Sequence, residues 1–167
     1  MKVIINVGVS GSGKSTWTAE YQKKNPKTLR INRDDIRKLL RSSLDGYYDS
    51  YLLNTIEKII NALEEDIFVQ AFMGRFDVII DNTNLKEKYI NRWLDLVDAY
   101  NEGEDEKIEV FFKIFPENNV ETLKKRVNVR DAPDGWDKLK YIEAQVVSLE
   151  NITKFLNDHH KEIIINE

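Results

Sequence analysis

Lys2-Val3-Ile4-Ile5-Asn6-Val7-Gly8-Val9-Ser10-Gly11-Ser12-Gly13-Lys14-Ser15-Thr16 is the stretch that decides the fold. Val3–Val9 is an apolar run carrying one asparagine, the pattern of a strand buried on both faces. Gly8 to Ser15 fits G-x-x-x-x-G-K-[ST], directly after that strand and at the opening of a helix. Glycines let such a loop curl until its N–H groups face inward around a β-phosphate, and the helix N-terminus adds partial positive charge. Lys14 is then placed to reach the β- and γ-phosphates of ATP, and the Ser15 hydroxyl to ligate Mg²⁺. Gly8, Ser10, Gly11, Ser12, Gly13 and Thr16 complete the expected ATP contacts. The plain alternative, a glycine-rich turn that binds nothing, does not account for the strand before it or the helix after it.

Outward from this loop, short β-branched runs alternate with longer helical ones. Helices are expected over Lys14–Lys24, Asp35–Arg41, Tyr51–Phe72, Glu117–Asn128 and Trp136–Leu156. Strands are expected over Thr28–Ile31, Phe76–Ile80, Lys107–Phe115 and Glu162–Asn166. Leu52, Ile56, Ile59, Leu63, Ile67 and Ala71 mark the packed face of the long helix. Asn84, with Glu87 three residues on, reads as the cap of a further helix. Such alternation implies right-handed crossovers and an α/β fold of the P-loop NTPase/kinase type. Its parallel sheet has four to five strands, helices on both faces and a helical lid. Residues 1–167 are expected to form one domain, with the lid at about 126–136.

Composition narrows the classes. No cysteine is present, so a disulfide framework and a thiolate zinc site are excluded. No apolar run approaches the roughly 20 residues of a membrane span, and the N-terminus reads as a strand rather than a signal peptide. A cytoplasmic protein without a membrane partner is the expectation. The net charge of −4 argues against a uniformly basic nucleic-acid binder. Yet Lys23 to Arg41 holds eight basic residues against Asp34 and Asp35, a basic wall suited to an anionic ligand in a cleft.

Ligands of such folds bind beyond the carboxyl ends of the strands. After the second strand comes Ile31-Asn32-Arg33-Asp34-Asp35-Ile36-Arg37. On a helix, Asp34, Arg37 and Arg41 share one stripe, and Ile36, Leu39 and Leu40 lie opposite as the docking face. Arginine clamps phosphate bidentately, and a neighbouring aspartate can take the proton of an attacking hydroxyl. Asp34 is therefore the candidate base, Arg37 with Arg33 or Arg41 the candidate acceptor clamp, and Asp35 a helix cap. Asp81-Asn82-Thr83-Asn84 follows the third strand. Asp81 occupies a Walker-B-like position for Mg²⁺, and Asn82 and Thr83 are expected on the acceptor side. Arg126 and Arg130 precede the turn Asp131-Ala132-Pro133-Asp134-Gly135 and are candidate lid arginines over the transferring phosphoryl group. His159 and His160 read as solvated surface, and Trp17, Trp93 and Trp136 as core. Tyr47, Tyr48 and Tyr51 lie near the basic wall and are candidates for stacking on a nucleobase.

These segments, in this order and spacing, resemble the kinase domain of 5′-polynucleotide kinases. The likeness rests on Gly11 to Trp17, Lys24-Asn25-Pro26, Ile31 to Arg37, Asp81 to Asn84 and the Arg126/Arg130 pair, over about 130 residues. It implies transfer of the ATP γ-phosphate to the 5′-hydroxyl of DNA or RNA. In that family the residue matching Asp34 is the general base, and that matching Arg37 holds the acceptor's phosphate. Those matching Lys14, Ser15 and Arg130 serve the donor. Family members place the acid of the Asp81–Asn84 quartet first or second; here it is first. No D-x-D-x-T motif occurs, so 3′-phosphatase activity is not expected. Homo-oligomerisation is compatible with this reading. A small-molecule kinase for nucleotides or sugars is the nearest rival. A nucleotide-dependent switch is further off, since no N-K-x-D sequence occurs.

Overall fold

The computed structural model describes residues 1–41, 50–103, 105–128 and 138–165. In chain order they form β1 (Lys2–Val7), α1 (Lys14–Lys24), β2 (Thr28–Ile31), α2 (Arg33–Arg41), α3 (Ser50–Met73) and β3 (Asp77–Ile80). There follow α4 (Glu87–Gly103), β4 (Glu109–Ile114), α5 (Val120–Asn128), α6 (Ile142–His159) and β5 (Ile164–Ile165). Short 3₁₀ turns lie at Lys138–Tyr141 and Lys161–Ile163. The strands form one parallel sheet of order β2-β3-β1-β4-β5. This is the α/β P-loop kinase fold expected from the sequence.

β1 is central, and Val3, Ile5, Asn6 and Val7 have no exposed surface. Its alternate side chains serve different layers. Val3, Ile5 and Val7 join the main core with Phe68 and Phe72 of α3, Trp93 of α4 and Leu149 and Leu156 of α6. The Asn6 amide instead donates to Thr18 Oγ1 of α1 at 2.9 Å, on the opposite face. Fully burying a side chain such as Phe68 contributes about 1.5–3 kcal/mol, so the larger layer fixes the sheet and the smaller one aims α1.

Several boundaries differ from expectation for local reasons. β1 ends at Val7 because the Gly8 N–H turns aside to the Thr83 carbonyl, 3.0 Å away. β3 starts after Phe76, whose N–H closes a turn onto Ala71 that carries Arg75 at φ 55°. Asn84 is not a cap: α4 begins only at Glu87, and the buried Asn84 amide donates to the Asn6 carbonyl at 2.8 Å. α6 starts at Ile142 and β5 is two residues long. Trp136 and Asn166 lie outside the described residues.

The expected face of α3 is partly met, with Ile56 and Ala71 buried and Ile67 packed on the core, but its most buried row runs elsewhere. Ile56, Ile60, Glu64, Phe68 and Phe72 are buried at successive fourth positions, while Ile59 is exposed. A glutamate thus sits in the middle of a buried apolar row. Trp17 is half-buried beside Tyr21 and Phe115, at ring-centroid distances of 5.2 and 5.9 Å. His160 is half-buried against Phe112 rather than freely solvated, whereas His159 is exposed.

Candidate active site

Gly11 and Gly13 adopt φ values of 85° and 100°, the left-handed region that L side chains avoid. At Gly11 a Cβ would also lie 3.1 Å from the Leu123 carbonyl oxygen, so glycine lets α5 approach the loop. Lys14, the first residue of α1, is 7% exposed. Its ammonium donates to the carbonyls of Gly8 (2.9 Å) and Val9 (2.8 Å). Ser12 Oγ is buried with no hydrogen-bond partner among the described residues. Ser15 follows in the first turn of α1 and is half-buried.

Beside the loop, a groove of about 900 Å³ runs between α1 and α5. Ser12, Thr16, Trp17 and Glu20 line one wall, and Thr122, Lys125 and Arg126 the other. Arg126 reaches the Gly11 carbonyl and Glu117, each at 3.3 Å, and keeps about half its side chain in water. Arg130 and positions 129–136 of the expected lid lie outside the described residues.

The loop after β3 joins this loop to the segment after β2. Thr83 accepts from the Gly8 N–H, and Asn82 Oδ1 accepts from the Arg33 N–H at 2.8 Å. Asn32 Nδ2 donates to the Asp81 carbonyl at 2.5 Å. Asn32, not Asp35, caps α2: its Oδ1 accepts from the Asp35 N–H at 3.0 Å, and the helix starts at Arg33, two residues before the expected boundary. Asp35 instead pairs with Arg30 at 2.5 Å.

The expected docking face of α2 is only partly used. Leu39 is 69% exposed, whereas Ile36 and Leu40 are half-buried. The helix meets α3 mainly through charge. Arg33 pairs with Glu57 at 2.7 Å and with Glu64 at 2.6 Å. Arg37 pairs with Glu57 at 2.9 Å and with Asp34 at 2.5 Å. Burial alone would lower the Arg37 pKa, but the Glu57 and Asp34 carboxylates outweigh it and hold it above the ordinary value. Burial likewise pushes Glu57 up, and the bonds and charges of Arg37 and Arg33 overcome that, leaving it below the usual carboxylate range. Asp34 keeps 45% of its side chain exposed. Arg41 ends α2, and its side chain lies outside the described part, as do Tyr47, Tyr48 and the Tyr51 side chain.

Asp81, expected at Mg²⁺, has no exposed side-chain surface. Its oxygens accept from Asn6 Nδ2 (3.1 Å) and Arg30 Nε (2.7 Å). Asn6 links it to Thr18, on the helix that carries Ser15. Asn82 is engaged at both ends, since its Nδ2 donates to Glu64 at 2.8 Å. Sequence reasoning missed Arg30, Glu57 and Glu64. Glu64 is 1% exposed and joins Arg33 of α2, Asn82 and Arg92 of α4. Its one visible signal was an acid in the i, i+4 row Ile56-Ile60-Glu64-Phe68-Phe72.

A family model described as an AAA domain matches residues 3–149. The chain belongs to that family. It is 29% identical over 109 residues to a protein of Autographa californica nuclear polyhedrosis virus described as a "putative bifunctional polynucleotide kinase/RNA ligase". That match covers 60% of this chain and 15% of the viral protein. A chain in the structure of a Pnkp1/Rnl/Hen1 RNA repair complex superposes with a TM-score of 0.68 at 28% identity, covering 92% of this chain and 45% of that one. The chain therefore spans less than half the length of these two relatives. A deoxyadenosine kinase from M. mycoides superposes at TM-score 0.60 and 16% identity, covering 99% of this chain and 88% of that one, a likeness of fold. The chain is a polynucleotide-kinase-like P-loop kinase domain. No helix among the described residues is long and apolar enough to cross a membrane.

Proposed function

We propose that this domain is an ATP-dependent 5′-hydroxyl kinase, moving the ATP γ-phosphate to a 5′-hydroxyl end of DNA or RNA. The observation that carries the reading is the Asp81–Thr83 bridge. By bonding Gly8 on one side and Arg33 on the other, it ties the phosphate loop and the segment after β2 together beyond the carboxyl ends of neighbouring strands.

The residues present fit a polyphosphate. Ser12 Oγ is a buried donor left unsatisfied by the described residues, and the Lys14 ammonium leans on neutral carbonyls of its own loop, so phosphate oxygens would suit both. The donor nucleoside would occupy the groove between α1 and α5, with Arg126, and Arg130 beyond it, neutralising charge as it develops. Mg²⁺ takes few protein ligands and otherwise uses phosphates and water. Ser15 would hold it directly, and Asp81 would support it through the Asn6–Thr18 chain that aims α1. A cation held by these residues would supply charge withdrawal from the γ-phosphoryl group.

On the acceptor side Asp34 orients the 5′-hydroxyl and takes its proton, while Arg37, exchanging an internal carboxylate for phosphate, holds the adjoining nucleotide. Arg33, pinned by two glutamates, and Asn82, held at both ends, brace this half. Thr83 joins it to the loop through its carbonyl.

The test is an acceptor panel with labelled ATP: a 5′-hydroxyl oligonucleotide, a nucleoside 3′-monophosphate, a deoxynucleoside and gluconate. Strong preference for the oligonucleotide supports the reading; preference for the free deoxynucleoside moves the chain to the small-molecule kinases that its fold also resembles. Asp34→Asn should reduce turnover by at least about 10²-fold with ATP binding retained, the scale of a lost general base. Near-normal turnover in that variant removes Asp34 from the base role.

A further inference from the structure

The peptide between Val9 and Ser10 is held at both ends. Its carbonyl receives the Lys14 ammonium at 2.8 Å, and its N–H donates to Gln145 Oε1 of α6 at 2.9 Å. Carbonyl and N–H of a planar trans peptide point in opposite directions, so fixing one orients the other. The next carbonyl back, that of Gly8, also receives Lys14, and the Gly8 N–H, in the preceding peptide, is tied to Thr83. The run from Gly8 to Ser10 is thus gripped by Lys14 on the inside and by two acceptors from distant elements on the outside. Thr83 uses its backbone; Gln145 is the side chain among the two.

We propose that Gln145 is a positioning residue for Lys14. It holds the Val9–Ser10 peptide from its N–H side, adding to the Ser12 N–H that bonds the Val9 carbonyl at 3.1 Å, so that this carbonyl stays turned towards the Lys14 ammonium. The role suits its place. Ile142 and Leu149, three residues before and four after, are 0% and 5% exposed, so this face of α6 is locked into the core and Gln145 projects from a rigid base. The assignment of its amide is set by chemistry, because a backbone N–H requires the oxygen end. The proposal rests on the reading of the loop as a nucleotide site, and its test separates the two.

Gln145→Met keeps the bulk and removes the acceptor; Gln145→Glu keeps an acceptor. Amide hydrogen exchange at Ser10 should quicken in the Met variant and stay slow in the Glu variant, whether or not nucleotide binds. For MgATP, the Met variant should show KM raised about 3- to 10-fold, the net worth of one hydrogen bond, with acceptor KM unchanged. Gln145→Glu should recover part of that loss. Unchanged Ser10 exchange in the Met variant, or Met and Glu variants equally impaired towards ATP, overturns the assignment. If the wild-type protein binds no MgATP while the exchange results hold, the nucleotide reading fails and the brace on the loop stands.

Discussion

The two halves of the site hold their cations differently. In the phosphate loop, Lys14 rests on two backbone carbonyls, neutral groups belonging to its own loop. Across the cleft, Arg30, Arg33 and Arg37 rest on carboxylates, and most of these come from elsewhere: Asp81 from the end of β3, Glu57 and Glu64 from α3. Both of these described contacts of the loop's cation are thus to uncharged oxygens. The proposed acceptor half presents cations already neutralised, where an incoming phosphate would have to displace an internal acid. A basic run in one dimension is not a basic patch in three.

The sharpest test of the donor half is Lys14→Ala. Removing a cation aimed at the transferring phosphates should lower kcat/KM about 10²–10³-fold, the usual scale for one preorganised electrostatic group. The Gly8 and Val9 carbonyls are uncharged, so losing the ammonium strands no charge on these two partners, and activity should fall far more than the melting temperature. Loss of folding together with activity would mean that this lysine is structural, and the contrast between the halves would disappear.

Glu64 should behave in the opposite way. Glu64→Gln leaves Arg33 and Arg92 facing an uncharged partner at a buried position. Breaking a buried pair typically costs about 3–5 kcal/mol, and the partial exposure of both arginines favours the lower end. The urea midpoint of unfolding should fall accordingly. Donor binding should survive in the folded fraction, since among the described residues Glu64 reaches the phosphate loop through the Asn82–Thr83 bridge. An unchanged midpoint would show that the network contributes specificity without stability.

How much was legible in the sequence follows from the same contrast. The phosphate loop is contiguous: strand, glycines at the left-handed positions, lysine and helix lie within fifteen residues and were read correctly to within two. The strands were legible because short β-branched runs between turn-forming residues pack well in a sheet covered on both faces and poorly in solvent. The acceptor half is assembled from three separate segments, so Asp34 and Asp35 were visible beside the arginines while Glu57 and Glu64 lay outside any window centred on Arg33 or Arg37. Local propensity also misplaced the cap. Asp35 is a good cap by type, but Asn32 holds the post because its two-ended amide both caps α2 and donates to the β3 loop. On α3, counting apolar residues chose a face through Ile59 and Leu63, whereas the packing chose the row that includes Glu64, whose three partners offset the cost of burying it.

The finest probe of the comparison is Glu57, the carboxylate shared by Arg33 and Arg37. If it stands where an acceptor phosphate would compete, Glu57→Gln should lower acceptor KM about 2- to 5-fold, the scale of a partly exposed ion pair, with ATP KM unchanged. A rise in acceptor KM would instead make Glu57 the group that aims Arg37. Its acid titration gives an independent check. The folded pKa lies below the ordinary 4.5, so its contribution to stability is present above that value and is lost as pH falls through the lower, folded one. Stability of the wild type should therefore drop more steeply than that of Glu57→Gln across the acid limb, and the two curves should converge once the carboxylate is protonated. Parallel curves would show that the pair persists in the unfolded chain or never forms, and the neutralised clamp would lose its central member.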